Sequence, residues 1–299
     1  LVYCGMADGL LILDISDPLT ASMVSRIRFQ EEIVSDLKLL GEHVYMTAYA
    51  TSYESSTFRV LEVSDPSTPF VESSFPIASA VFGLDVADSL VFLSSLIQTG
   101  GFDGMFILNI AAPDSIVLLD SIATDNIPYR VRVRDNYAYV TGVDLDIIDI
   151  SDPANATIIS QFSPDVDYQP WDLDLRENDS LLYIADLCSI WPAYVSALSV
   201  YNVADPENPS LWGRYPIYGY AMDVKIKDDY AFVSNGSCGV RTFDISDPTA
   251  PVGLGQYQTP SDWDNSIKSF AGRLAIQGDL LFLADIGPYV SDDMEAYKC

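Results

Sequence analysis

The chain has 299 residues, 49% of them hydrophobic, and 43 acidic against 15 basic side chains give it a formal charge of −28. That charge excludes nucleic acid or an anionic membrane as partner, because phosphate surfaces demand Lys and Arg. No uninterrupted apolar run of about 18 residues exists to span a membrane, and a single histidine, His43, excludes multi-histidine zinc, copper and haem centres.

In chain order, Leu1-Val2-Tyr3 opens directly in a strand-like run with no basic-then-apolar leader, the expectation for a mature or trimmed form. Leu11–Ile15 then runs into Ser16-Asp17-Pro18, and Met23–Ile27 leaves it. The turn recurs with drift at Glu62–Pro66, Asn109–Pro113, Asp149–Pro153, Asn202–Pro206 and Asp244–Pro248. Its prolines stand 48, 47, 40, 53 and 42 residues apart, a period close to that of a four-stranded propeller blade. The chemistry is that of a hairpin turn. Asp can bond the backbone two residues on, and Pro presets φ while removing a donor the turn does not need.

Ahead of each turn stand two further strand signals split by a short polar turn. Val131–Val133 and Tyr137–Val140 around Arg134-Asp135-Asn136 are the clearest. Matching pairs are Leu37–Leu39 with Val44–Met46, Leu84–Val86 with Leu90–Leu93, and Leu173–Leu175 with Leu181–Ile184. Val224–Ile226 with Tyr230–Val233 and Leu274–Ile276 with Leu280–Leu283 complete the set. Period-2 alternation bounded by Asn, Asp and Gly predicts strands. One unit is therefore strand A, tight turn, strand B, variable loop, strand C, Ser-Asp-Pro turn, strand D. Residues 1–299 are expected to form one all-β domain, a β-propeller of four-stranded antiparallel blades. Six blades are expected and seven are the alternative; the chain could also be a fragment of a longer surface protein. The six-bladed reading needs the A strand at Ser269–Gln277 to complete the first blade, which leaves a B strand near Leu280–Ala284 without a place. Such a surplus edge could add to a second copy.

The stretch Gly9-Leu10-Leu11-Ile12-Leu13-Asp14-Ile15-Ser16-Asp17-Pro18, with Tyr-Ala-Tyr-Val-type strands such as Tyr137–Val140 ahead of the turn, resembles the LVIVD repeat. The resemblance runs over nearly the whole chain. It implies a β-propeller from a bacterial or archaeal cell-surface or secreted protein. It carries no agreed catalytic residues, so none transfer. Asn109–Pro113 departs from the pattern, with Ala in place of both Ser and Asp.

Candidate chemistry sits on the loops between D and A strands, because a propeller scaffold presents its loops around the channel. These loops carry Asp36, Phe82, Tyr129, Arg130, Trp171, Asp172, Tyr220, Asp223, Trp263, Asp264 and Arg273. Aromatics mixed with Asp and Arg suit a glycan, peptide or protein surface; packing across the channel mouth explains the aromatics equally well. The long B–C loops, Tyr49–Thr57, Ser94–Gly104 and Asp186–Ala197, are further contact candidates or tolerated insertions. No cofactor is expected, although calcium needs only oxygen ligands. Asp165, Asp167, Asp172, Asp174, Asp262 and Asp264 are its candidates, without an EF-hand loop among them.

Four cysteines allow three pairings. Cys188 and Cys238 follow corresponding strands of adjacent repeats, and Cys4 with Cys299 would tie the ends. Sequons at Asn155, Asn178 and Asn235, with an even cysteine count, lean towards an extracellular protein. The expected function is a non-enzymatic binding or structural module of a cell surface, sheath or filament, with a surface protein, a glycan or a second copy as partner. The alternatives are a polysaccharide hydrolase or lyase at the channel mouth and a calcium-stabilised adhesion module.

Overall fold

The turn motif folds as its chemistry dictates. In the computed structural model, which describes residues 1–96, 103–112, 115–124, 127–163, 168–176, 179–188, 195–259 and 270–285, each Ser-Asp-Pro segment holds two successive side-chain-to-backbone bonds. Asp14 accepts from Ser16 N at 2.9 Å and Asp17 from Leu19 N at 3.0 Å. The same pair recurs as Asp149 with Asp152 and as Asp244 with Asp247. Asn109 keeps the first bond, to Ala111 N at 2.8 Å, where the motif has lost its second acid. These bonds hold the carboxyls of Asp14, Asp149 and Asp244 below the ordinary carboxylate range, through the backbone bond first.

Twenty-five strands follow among the described residues, all antiparallel where paired. The first sheet is β1 (Val2–Met6), β2 (Gly9–Asp14) and β3 (Ser22–Arg28). The second is β4 (Glu32–Leu40), β5 (His43–Ala50), β6 (Ser56–Glu62) and β7 (Phe70–Ile77); the third is β8 (Ala80–Ala87), β9 (Leu90–Leu96), β10 (Gly104–Asn109) and β11 (Val117–Ala123). The fourth comprises β12 (Arg130–Arg134), β13 (Tyr137–Thr141), β14 (Leu145–Asp149) and β15 (Thr157–Phe162). The fifth is β16 (Tyr168–Leu175), β17 (Leu181–Cys188), β18 (Val195–Asn202) and β19 (Ser210–Tyr218); the sixth is β20 (Asp223–Lys227), β21 (Tyr230–Ser234), β22 (Val240–Asp244) and β23 (Val252–Tyr257). β24 (Ala271–Gln277) and β25 (Leu280–Asp285) close the described chain as a hairpin.

This is the expected all-β architecture of a six-bladed β-propeller, and each of the five four-stranded sheets runs A-B-C-D in chain order. The hairpin at the end differs from the expectation. β24 does not serve as the missing strand of the first sheet, which has the order β1-β2-β3. Its ladder partner is β25, in register from Gln277 opposite Leu280. The B strand that had no place is thus the second arm of this hairpin.

The tight A–B turns explain themselves at the residue level. Asp88, Asp135 and Asp228 open three of them with φ near +52°, and Gly41 and Gly278 open two others at +60° and +56°. Left-handed backbone favours Gly, and Asp is among the few L-residues that tolerate it.

The described chain divides into two compact units, one of residues 1–140 with 148–158 and the other of 141–147 with 159 onwards. Within the first, neighbouring sheets bury apolar faces against each other. Leu10 and Ile12 of the first sheet meet Val44, Met46 and Leu61 of the second. Phe58 and Val60, on the opposite face of that second sheet, meet Leu84, Val91 and Leu93 of the third. Within the second unit, Leu198, Val200 and Ile217 pack on Val224, Val233 and Phe243. Burial on both faces is what the near-continuous apolar strands require, and each fully buried Leu or Phe contributes roughly 2 kcal/mol. The outer D strands are the exception, with Val252, Leu254 and Tyr257 of β23 all exposed.

Candidate functional site

A recurrent irregularity in the A strands positions the candidate residues. The A–B register slips by one residue between Val34 and Asp36, Val81 and Gly83, Pro170 and Asp172, and Ala271 and Arg273. A bulge of this kind re-aims the side chain beside it, and Asp36, Asp172 and Arg273 each stand immediately after one. A hydroxyl at the end of a B strand fastens the carbonyl next in line. Ser94 Oγ donates to Tyr129 O at 3.1 Å, Thr141 Oγ1 to Trp171 O at 3.3 Å, and Ser234 Oγ to Gly272 O at 2.7 Å.

In the first unit the charged candidates are tied into backbone. Asp36 accepts from its neighbour Leu37 N at 2.9 Å and from Leu84 N of the next sheet at 3.1 Å. One repeat later Asp85 accepts from Val133 N at 2.8 Å while also bonding Lys38. Arg130 Nη1 donates to Phe82 O and, at 2.8 Å, to Tyr129 O. Gly83 makes room for this approach, since a Cβ there would come within 2.8 Å of Arg130 Cα. Around Arg130 lie aromatic rings: Tyr49 stacks on Tyr53 at 4.9 Å between centroids and leans on Phe82 at 5.4 Å. Tyr129 is half-buried, and burial raises its phenol pKa.

The second unit brings together four charged groups. Asp172 and Asp223 are both fully buried. Arg273 Nη1 lies 2.8 Å from Asp172 Oδ2 and 3.8 Å from Asp223 Oδ2. Lys225 Nζ donates to Asp223 Oδ1 at 2.6 Å, and Leu274 N donates to Asp223 Oδ2 at 2.9 Å. Burial pushes the Asp223 carboxyl up to about 7, against the pull of Lys225 and with a push from Asp172. Leu173 N donates to the other oxygen of Asp172, and Ile226 N to Asp174 at 2.8 Å. Asp174 and Asp223 repeat the Asp36 and Asp85 arrangement, an A-strand carboxylate holding an amide of the next A strand.

A further buried acid lies in the fifth sheet, on its B strand. Asp186 is fully buried, accepts a bond from Ser199 Oγ, and has its carboxyl raised to about 7 by that burial. Arg214 Nε donates to the same Ser199 Oγ at 3.0 Å and its guanidinium lies over the Tyr168 ring. Sequence reasoning missed Asp186, Lys38, Asp85, Lys225 and the three B-strand hydroxyls. The signal available was a charge at i or i+2 of every otherwise apolar A strand, recurring with the repeat.

Other expectations resolve individually. Trp171 and Tyr220 are half-buried, with Tyr220 6.3 Å from the Phe270 ring. Trp263, Asp165, Asp167, Asp262, Asp264, Asn178 and Cys299 lie outside the described residues, as does the side chain of Cys188. Cys4 is a free thiol on β1, half-buried, and Cys299, its proposed partner, lies outside the described residues. Asn155 is exposed in its turn, whereas Asn235 is buried with Nδ2 donating to Tyr218 O at 2.7 Å, which leaves no room for a glycan. His43 opens β5 and faces Glu72 at 3.2 Å. Among the described residues no cluster of three metal-ligating side chains occurs.

A model of the LVIVD repeat matches residues 2–28, 129–163 and 218–259. No curated protein matches the chain. Among solved structures, a periplasmic gluconolactonase of Pseudomonas aeruginosa is 7% identical with a TM-score of 0.73, over 90% of this chain and 88% of its own. A functionally unknown protein from Desulfotomaculum acetoxidans is 10% identical with a TM-score of 0.68, over 87% and 80%. The computationally designed protein Ika8 is 14% identical with a TM-score of 0.63, over 95% and 77%. At these identities the likeness is one of fold.

Proposed function

We propose that this chain, with its LVIVD repeats, works as a non-enzymatic extracellular module, binding partners of a cell surface, sheath or filament through its loops. One observation carries the reading. The charged side chains that could perform chemistry, Asp36, Arg130, Asp172, Asp223 and Arg273, are engaged with strand backbone or with one another. A general acid must reach a substrate proton. Asp223 has a pKa suited to that task, but both of its oxygens already accept bonds from within the fold. The site therefore reads as wiring between blades, and recognition falls to the loops around it.

The extracellular part of the reading draws on the exposed sequon at Asn155 and on Cys238, for which a disulfide is proposed. Cys188 is the partner proposed for it. Intact mass of the natively produced protein tests both, through a two-hydrogen deficit and a glycan increment removed by Asn155→Gln. Activity is tested by incubating the protein with neutral and acidic polysaccharides and with aldonolactones, the last because a gluconolactonase shares the fold. No turnover is expected. Turnover lost in Asp223→Asn would overturn the non-enzymatic reading.

A further inference from the structure

We infer that the Tyr49–Tyr53–Phe82 cluster of the first unit is a stacking platform for the pyranose ring of a neutral glycan. The inference rests on the binding-module reading and names its ligand class. Tyr49 is the penultimate residue of β5, Tyr53 lies in the loop to β6, and Phe82 stands at the bulge of β8. All three are half-buried, so each ring has part of its surface on the outside. Sugar C–H faces stack on such rings, and aromatic contact area comes with little conformational freedom to lose.

The platform is built in advance of any ligand. Tyr53 has a φ of +59°, a left-handed conformation that bulky residues rarely take. It is held there by Tyr53 N donating to Ala50 O and Ala50 N to Ser55 O, both at 2.8 Å, while Thr51 N donates to Glu31 O at 3.1 Å. The loop thus accepts backbone strain to set one ring flat on another, 4.9 Å away and 22° from parallel. Strain of this kind gathers at ligand clamps. Burial first, and then a hydrogen bond with Tyr53, raise the pKa of the Tyr49 phenol to about 12.

Ligand class follows from the rim and the charge. Thr51, Ser52 and Ser55 are exposed beside the rings and offer hydroxyls, which match sugar hydroxyls as donors and acceptors. Glu54 is exposed among them, and the chain carries −28 overall, so uronates and sulfated glycans meet repulsion. A proline-rich peptide also stacks on tyrosine, but it needs an apolar-sided groove, and this rim is polar.

The test is calorimetric titration of the whole chain with cellohexaose, chitohexaose, mannohexaose, polygalacturonate and decaproline. At least one neutral hexasaccharide is expected to bind. Tyr53→Ala, which removes the ring while the backbone bonds to Ala50 O and from Ala50 N remain to hold the turn, is expected to fold and weakens binding about tenfold, and Tyr53→Phe retains binding within about threefold. Absence of binding to all three neutral sugars, or binding that Tyr53→Ala leaves unchanged, overturns the platform. Binding of polygalacturonate or decaproline alone that Tyr53→Ala abolishes overturns the ligand class and leaves the module reading standing. Release of new reducing ends from any probe overturns the module reading itself.

Discussion

At the scale of single residues, Asp223 shows how burial and partnership compete. Its carboxyl loses hydration completely, and Lys225, Arg273 and Leu274 N restore only part of it, so its pKa in the fold lies well above that of an unfolded Asp. A raised carboxyl pKa means stability that is intact below the unfolded value, near 4, and lost as pH rises towards 7. Asp223→Asn keeps an acceptor for Leu274 N but has no charge to bury. The expected outcome is a variant that gains on the wild type between pH 4 and pH 8, by on the order of 2–4 kcal/mol, measured in urea unfolding at each pH. A constant gap across that range would refute the assignment. Asp14, Asp149 and Asp244 work the other way, since their lowered values favour the fold above pH 4 and release it as pH falls.

At the scale of elements, the hydroxyl that ends a B strand fastens the next blade's A strand. Ser234→Ala leaves the Gly272 carbonyl buried without its donor, and chemical denaturation should show a loss of roughly 1–2 kcal/mol. The turns allow an experiment in the stabilising direction. Ala112 occupies the place that Asp17, Asp65, Asp152, Asp205 and Asp247 fill elsewhere, and its carbonyl already accepts from Ser115 N at 2.8 Å. Ala112→Asp should recreate the second turn bond and raise stability by about 0.5–1 kcal/mol. Strands and turns were legible in the sequence because their signals are local. Alternation names the strand, and Asp before Pro names the turn. The acid-to-amide bonds were not legible, because Asp36 and its partner Leu84 N are 48 residues apart and a one-residue bulge decides which side chain faces the next sheet. The same Asp172 and Asp223 that suggested chemistry proved to hold strands together, through Arg273 and Leu274 N. The fate of β24 was equally hidden, since its pattern fits an A strand of either sheet.

At the scale of the whole molecule, a charge of −28 sets the response to ions. Self-repulsion destabilises a compact state, and salt screens it over about 10 Å at 0.1 M. The melting temperature should rise by a few degrees between roughly 0.01 and 0.15 M sodium chloride. Calcium adds a separate arm. A further rise with millimolar calcium, absent with magnesium at equal ionic strength, would favour the calcium-stabilised adhesion reading. Equal responses to the two ions would count against it. The edge positions of the blades also differ in what they ask of the sequence. Inner strands combine fixed charges with buried faces, whereas β23 exposes all six residues from Val252 to Tyr257.

The free thiol of Cys4 makes the first sheet its own reporter. The sulfur is half-buried on a strand whose only ladder neighbour among the described residues is β2, and burial raises its pKa, so alkylation in the closed sheet is slow. Reaction with a maleimide then proceeds chiefly through moments when β1 lifts away, and its rate counts those excursions. Followed over time, consumption of the Cys4 thiol turns the fraying of β1 into a clock that needs no substituted residue.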